Sequence, residues 1–253
     1  MDKKSVLLTG PHSIAAVLKH QTGRLRNVYY LATADQRRFQ QLLNQAREQG
    51  VNCQALDRTA LDKICAGERH QGLVADFEPA NLLAEKDLPG LIKESRDGAL
   101  FLILDNVQDP HNLGACIRSA DAAGATAVIF PRDKSAPLSA VARRAAAGAA
   151  EVLPVIEVTN LARVLRLLKS HGIWIAGTSE QATETVYEAR LSGPLALVLG
   201  NEGSGMRQLT SKHCDYLVKI PMQGTVPSLN VSVATAVCLF EIQRQRRNGV
   251  NPG

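Results

Sequence analysis

LFLILD, Leu100 to Asp105, is a run of five apolar residues closed by an acid. A strand with one wet face alternates apolar and polar residues. A run without alternation, of strand length, fits a strand covered on both faces of a parallel sheet. Downstream of it the chain keeps switching element type. The pattern predicts helix LGACIRSADAAGA (113–125), strand AVIF (127–130), helix LSAVARRAAAGA (138–149), strand VLPVI (152–156) and helix NLARVLRLLKSHG (160–172). Strands IWIAGT (173–178), ALVLG (196–200) and the short YLVKI (216–220) follow, then a long helix from about Leu229 to Arg247. Strand–helix alternation over this length means an α/β domain with a parallel sheet. Ligands of such sheets bind beyond the carboxyl ends of the strands, so the polar residues just after each strand are the ones to read.

Upstream lies a smaller α/β module. VYYLA (28–32), VNCQAL (51–56) and GLVADF (72–77) read as strands. Helices are expected from Gly10-Pro11-His12-Ser13 through IAAVLKH, over 35–50, and over about 57–65. His12 and His70 are its most notable polar residues, with capping or hydrogen bonding as the expected role. Between the modules, EPANLLAEKDLPGLIKESRDG is polar, acidic and carries Pro79 and Pro89, which suggests a linker with a short helix of its own. The expected division is 1–76, a linker at 77–97, and 98–253.

Composition bounds the function. The 253 residues are 45% hydrophobic and 21% charged, so the chain is globular. No apolar stretch reaches the ~18 residues of a membrane span. The segment after Met1 is too short for a signal peptide, and a cytoplasmic location is expected. Cys53, Cys65, Cys116, Cys214 and Cys238 are scattered without ligand spacing, so no metal is expected. The net charge of +5 permits a polyanionic partner.

Three strand-end stretches carry unusual polarity. DNVQDPHNLGACIRSA, Asp105 to Ala120, enters a helix at about Asn112, a plausible N-cap. Arg118 follows six residues on, and its neighbours Cys116, Ile117 and Ala120 suggest partial burial. LVLGNEGSGM, Leu197 to Met206, has three glycines around Glu202. It matches neither a phosphate-binding loop nor a dinucleotide fingerprint, which counts against both. IPMQGTVPSLNVSVATA, Ile220 to Ala236, places Ser228 and Asn230 on either side of Leu229 at a helix entry. One polar residue caps a helix; two suggest that they also face something else.

Together D-N-V-x-D-P-x-N-L-G-A-x-x-R, L-V-L-G-N-E-G-x-G and I-P-M-x-G-x-x-x-S-L-N-V-S-V-A resemble the three ordered motifs of the SpoU-type RNA 2′-O-ribose methyltransferases, of the SPOUT, trefoil-knot class. GPHSIAAVL (10–18) and HQGLVA (70–75) resemble the substrate-binding extension of its two-domain members. Val226-Pro227 is the one unusual place, and it should stiffen that loop. The resemblance implies a knotted C-terminal parallel-sheet domain, a smaller N-terminal substrate-binding domain and a homodimer. It implies S-adenosyl-L-methionine held by Thr178, Leu199, Gly200, Asn201, Gly203, Ile220, Met222 and Leu229. Asn112, Arg118, Glu202, Ser228 and Asn230 become the catalytic cluster, with Glu202 orienting Arg118 or Asn230 and Ser228 and Asn230 capping the last helix. That helix, through Val231, Val233, Val237, Leu239 and Phe240, is expected to pack on a second subunit. For the basic tail residues Arg244, Arg246 and Arg247, a contact and a solvated surface are equally weighted readings.

The implied reaction is methylation of a ribose 2′-oxygen on a guanosine in the P-loop of 23S rRNA, on naked rRNA or a precursor large subunit. A tRNA nucleotide is the alternative substrate, and a catalytically inactive RNA-binding assembly factor is the rival from another class. Alignment of the reacting groups can supply about 7–11 kcal/mol, more than the ~10²–10⁴-fold of a positioned base. An arginine keeps its proton in proteins, so of the two roles open to Arg118, electrostatic or base once desolvated, the electrostatic one is favoured. Arg24, Arg26, Arg37, Arg38, Arg143 and Arg144 are the expected RNA contacts.

Overall fold

A computed structural model describes residues 5–32, 38–65 and 70–249. The chain divides into two compact units, residues 1–81 with 147–152, and residues 82–146 with 153–253.

The first unit runs β1 (Val6–Thr9), α1 (Pro11–His20), β2 (Leu25–Leu31), α2 (Gln40–Glu48), β3 (Asn52–Leu56), α3 (Arg58–Ile64) and β4 (Leu73–Phe77). Its sheet has the order β1-β4-β2-β3, with only β2 and β3 parallel. Strand β1 is absent from the sequence-based expectation: VLLT is four residues long, below the length at which periodicity separates strand from loop. Ile14 and Val17 of α1, Val28 of β2, Leu43 of α2 and Phe77 of β4 form the core. His70 is buried and works as a hydrogen-bond post. Its Nδ1 accepts from the Gly72 N–H at 3.0 Å, which leaves Nε2 to donate to Asp62 at 2.8 Å. This fixes the tight turn into β4, where Gln71 and Gly72 both have positive φ.

The rest of the chain begins with β5 (Leu83–Ala84) and α4 (Leu88–Ser95), then β6 (Leu100–Leu104), α5 (Pro110–Ala122), β7 (Ala127–Pro131) and α6 (Ala140–Ala145). Helix α7 (Ala149–Val152) falls in the segment grouped with the first unit, and β8 (Val155–Val158) returns to the second. The second unit continues with α8 (Leu161–Ser170), β9 (Trp174–Thr178), β10 (Glu184–Thr185), β11 (Leu195–Leu199), α9 (Gln208–Lys212), β12 (Tyr216–Lys219) and α10 (Val231–Gly249). Among the described residues its eight strands are all parallel, in the order β10-β12-β9-β11-β6-β7-β8-β5. Every residue of β6 is buried, as the unbroken apolar run predicts. Leu88 and Ile92 of α4 join Phe101, Ile103 and Leu165 in the core, so residues 88–95 are packed helix. The helix expected over 138–149 breaks after Ala146, because Ala147 and Gly148 take positive φ. No helix among the described residues is long and apolar enough to cross a membrane.

The strand order places the site. From β6 the chain moves to β7 and β8 on one side, while β11, β9 and β12 fill the other. The carboxyl ends of β6 and β11 therefore flank the point where the winding reverses, and crevices open there.

Candidate functional site

The loops after β6, β11 and β12 are the three polar stretches picked out in the sequence, and two of them enter helices at the same place. Helix α5 starts earlier than expected. Pro110 has a fixed φ that suits the first helical position, and Asp109 is the cap, accepting from the His111 N–H at 2.9 Å. Asn112 is therefore not the N-cap. It sits inside the first turn, with its side chain free to point away from the helix.

That side chain donates from Nδ2 to Glu202 Oε1 at 3.0 Å and accepts from Asn230 Nδ2 at 3.0 Å. The same Glu202 oxygen accepts from the Val231 N–H at 3.0 Å. Asn230 caps α10 through Oδ1, which accepts from the Ser232 N–H at 2.9 Å. One residue from each stretch thus enters a single hydrogen-bonded cluster at the N-termini of α5 and α10. Both helix dipoles point their positive ends there, which favours an anion.

Ser228 takes no part in the cap. It is exposed and makes no hydrogen bond among the described residues, because it lies two residues before the cap, outside the reach of the first turn. Arg118 departs from expectation too. Leu113, Cys116, Ile117 and Ala120 form the buried stripe of α5, and position 118 falls on the opposite face. Arg118 is exposed, with no ion pair or hydrogen bond among the described residues, and Glu202 does not orient it. Among the described residues Glu202 makes no direct hydrogen bond to the Asn230 side chain and is linked to it through Asn112.

Beside the cluster is a cavity of about 510 Å³, within the roughly 300–1,000 Å³ of small-molecule pockets. Thr178, Leu199, Gly200, Asn201, Gly203, Ile220, Met222 and Leu229 all line it, as do Ser228 and the cluster's own Glu202. Sequence reasoning missed Gln181, Met206 and Lys219. Met206 and Lys219 stand inside or beside the polar strand-end stretches, where the signal was available; Gln181 carries none. The residues fit S-adenosylmethionine. Leu199, Met206, Val218, Ile220 and Leu229 offer apolar walls for a flat base, while Glu180 and Glu202 are the acids for a cationic centre. The wall beside them is bare backbone: a Cβ on Gly200 would lie 2.1 Å from the Gly205 carbonyl carbon and the Met206 nitrogen.

Of the expected RNA contacts, Arg24 is half-buried and its Nη1 has no partner among the described residues. Arg26 lies 3.6 Å from Glu78, and Arg38 stacks over Phe39. Arg143 and Arg144 sit on α6; Arg37 lies outside the described residues. In α10, Val231 and Leu239 are buried within the chain, whereas Val233 and Phe240 are exposed. The tail is not simply solvated. Arg244 bonds Glu241 and holds its carboxyl below the usual range, and Arg246 donates to the carbonyls of Gly98, Ala99 and Gly193. A single-sequence pattern carries no sign of such carbonyl contacts.

Residues 99–240 match the SpoU rRNA Methylase family, and residues 7–83 match the RNA 2′-O ribose methyltransferase substrate binding domain. The 23S rRNA (guanosine-2′-O-)-methyltransferase RlmB of Pasteurella multocida is 55% identical over 238 residues, 94% of this chain and 97% of that protein. The SpoU methyltransferase AviRb from Streptomyces viridochromogenes, in complex with AdoMet, superimposes with a TM-score of 0.75 at 26% identity, covering 97% of this chain and 92% of that one. The A. aeolicus TrmH/SpoU tRNA modifying enzyme has a TM-score of 0.55 at 31% identity, over 66% of this chain and 85% of its own.

Proposed function

The chain belongs to the SpoU rRNA methylase family, and from that premise we propose that it methylates the ribose 2′-oxygen of a guanosine in 23S rRNA, in the P-loop of the large subunit. It is a methyltransferase, and S-adenosylmethionine is its methyl donor. The observation that supports the site assignment is the cluster of Asn112, Glu202 and Asn230 beside the cavity.

When bound, the cofactor supplies a methyl group already activated on a sulfonium. The protein's remaining work is to align one hydroxyl and manage one proton. Ser228 hydrogen-bonds the ribose in this reading, which its exposure in the cavity lining and its lack of a partner among the described residues support. Asn112 and Asn230 keep fixed amide orientations because Glu202 and the helix cap consume one side of the chain of bonds. Arg118, unpaired among the described residues on the outer face of α5, contributes its fork to the RNA phosphate and lowers the cost of a 2′-oxyanion. The 2′-hydroxyl requirement makes RNA the substrate, and an unpaired loop nucleotide can splay into the cavity.

Residues 1–76 act as the RNA-binding unit, with Arg24, Arg26, Arg37 and Arg38, and 98–253 as the catalytic unit, with Arg143 and Arg144. The stripe of Val233, Val237 and Phe240 on α10, exposed at both ends, belongs to a homodimer interface, and the protein works in the cytoplasm. The tRNA alternative gains no support, since its neighbour covers only part of this chain.

The test is methyl transfer from labelled S-adenosylmethionine to unmodified 23S rRNA and to bulk tRNA, with the position mapped by resistance to alkaline cleavage. A resistant guanosine in the 23S P-loop is expected. Label in tRNA alone overturns the substrate, and no label despite tight RNA binding overturns the activity.

A further inference from the structure

Asp105 follows β6 directly and is wholly buried, yet among the described residues Arg207 alone supplies its side-chain hydrogen bonds. Arg207 donates its backbone N–H to Oδ2 at 2.9 Å and its Nε to Oδ1 at 2.6 Å, with Nη2 at 2.5 Å from Oδ1. Arg207 closely follows the glycine-rich hairpin after β11. The other root of that hairpin is tied to the same strand end: Asn201 Nδ2 donates to the Asn106 carbonyl at 3.2 Å. Between the two ties the hairpin closes on itself. Asn201 and Gly205 exchange backbone hydrogen bonds of 3.1 and 2.8 Å, and Gly203 N–H donates to Asn201 Oδ1 at 2.9 Å. The hairpin lines the cavity, whereas Asp105 and Arg207 do not.

Only the acid of this pair is buried, the Arg207 side chain being 39% exposed, and an ion pair of this kind is poor evidence for stability, because apolar residues often do as well in place of a buried one. Its better-attested use is to select one geometry, and here the geometry selected is that of the hairpin. We propose that the Asp105–Arg207 pair is a positioning device that holds the hairpin against the cavity, setting affinity for S-adenosylmethionine without acting in methyl transfer. This inference rests on the function proposed above.

The test uses Asp105→Asn, Arg207→Lys and the neutral pair Asp105→Asn/Arg207→Gln in the full chain. S-adenosylhomocysteine binding is measured by calorimetry, together with KM for the cofactor, kcat on 23S rRNA, and the unfolding midpoint without ligand. Arg207→Lys keeps the charge and the backbone N–H but loses the fork, so its Kd and KM should rise about tenfold, a usual size for coupling between sites. At saturation kcat should stay within about twofold. The neutral pair should recover part of the loss. A purely structural role would lower the midpoint and leave the Kd of the folded protein at the wild-type value, which overturns the proposal. So does a fall in kcat at constant Kd. If Asp105→Asn does not fold, Arg207→Lys decides. A wild-type protein that fails to bind the probe overturns the functional reading instead.

Discussion

Arg118 stands on the outer face of α5 with no internal partner among the described residues, so its removal breaks nothing in the folded chain. Arg118→Ala should lower kcat by about 10²–10³-fold, the size seen when one donor to a developing oxyanion is removed. The unfolding midpoint and the Kd for S-adenosylhomocysteine should not move, and an unchanged kcat would remove Arg118 from the site. Glu202 behaves differently because it serves two donors, the Asn112 amide and the Val231 N–H. Glu202→Ala should cost about 0.5–1.5 kcal/mol in urea unfolding, since Glu202 is exposed and water replaces part of what the two donors lose, as well as activity. Residues of this kind are legible as types and illegible as partners. Asn230 is a good cap in any sequence, but nothing in the spacing says that its Nδ2 reaches Asn112, 118 residues away. Ser228 reads as a second cap for the same reason, and the structure leaves it outside the first turn.

At the scale of elements, the packing of α5 decides how Asn112 and Arg118 are held. A Cβ on Gly114 would lie 2.2 Å from the Ala142 carbonyl oxygen and 2.6 Å from Ala145 Cβ, so α5 and α6 approach as closely as a glycine allows. Gly114→Ala should destabilise the chain by about 1–3 kcal/mol, measured by thermal or urea unfolding, and reduce activity because α6 must move away. On its other side α5 meets α10, where Cys116 Sγ lies 3.3 Å from Thr235 Oγ1. Burial pushes the thiols of Cys116 and Cys238 up to about 12, so at mildly alkaline pH both are protonated and enclosed. Alkylation of the native protein under those conditions should spare them, while unfolding in urea should expose both; early labelling of either would show that the α5–α10 packing is loose. The long helices and buried strands of this unit were legible because periodicity sums over many residues. Their ends were not: the start of α5 depended on Pro110 and Asp109, and the break after Ala146 on two residues with positive φ.

At the scale of the whole molecule, the proposed partners make two measurable claims. Phe240, 53% exposed, shares a stripe with Val233 and Val237 at helical spacing. Phe240→Glu should convert a dimer to a monomer in sedimentation velocity at micromolar concentration, and a wild-type monomer would sink the interface. For rRNA, Arg26→Ala with Arg38→Ala should reduce the slope of log K against log salt by about 1 to 2, since each guanidinium that neutralises a phosphate adds roughly one to that slope. An unchanged slope would remove them from the RNA surface. The sequence by itself determined the α/β class, the buried strand β6 and the strand ends that carry polarity, because burial and turn chemistry are local properties of short stretches. With the three motifs it also determined the family. Only the tertiary structure decided that Asn112, Glu202 and Asn230 form one cluster, that Arg118 faces out, and that Asp105 reaches Arg207. Those pairings join residues far apart in the chain, where loop closure leaves no trace in the local pattern and only the order of strands brings the ends together.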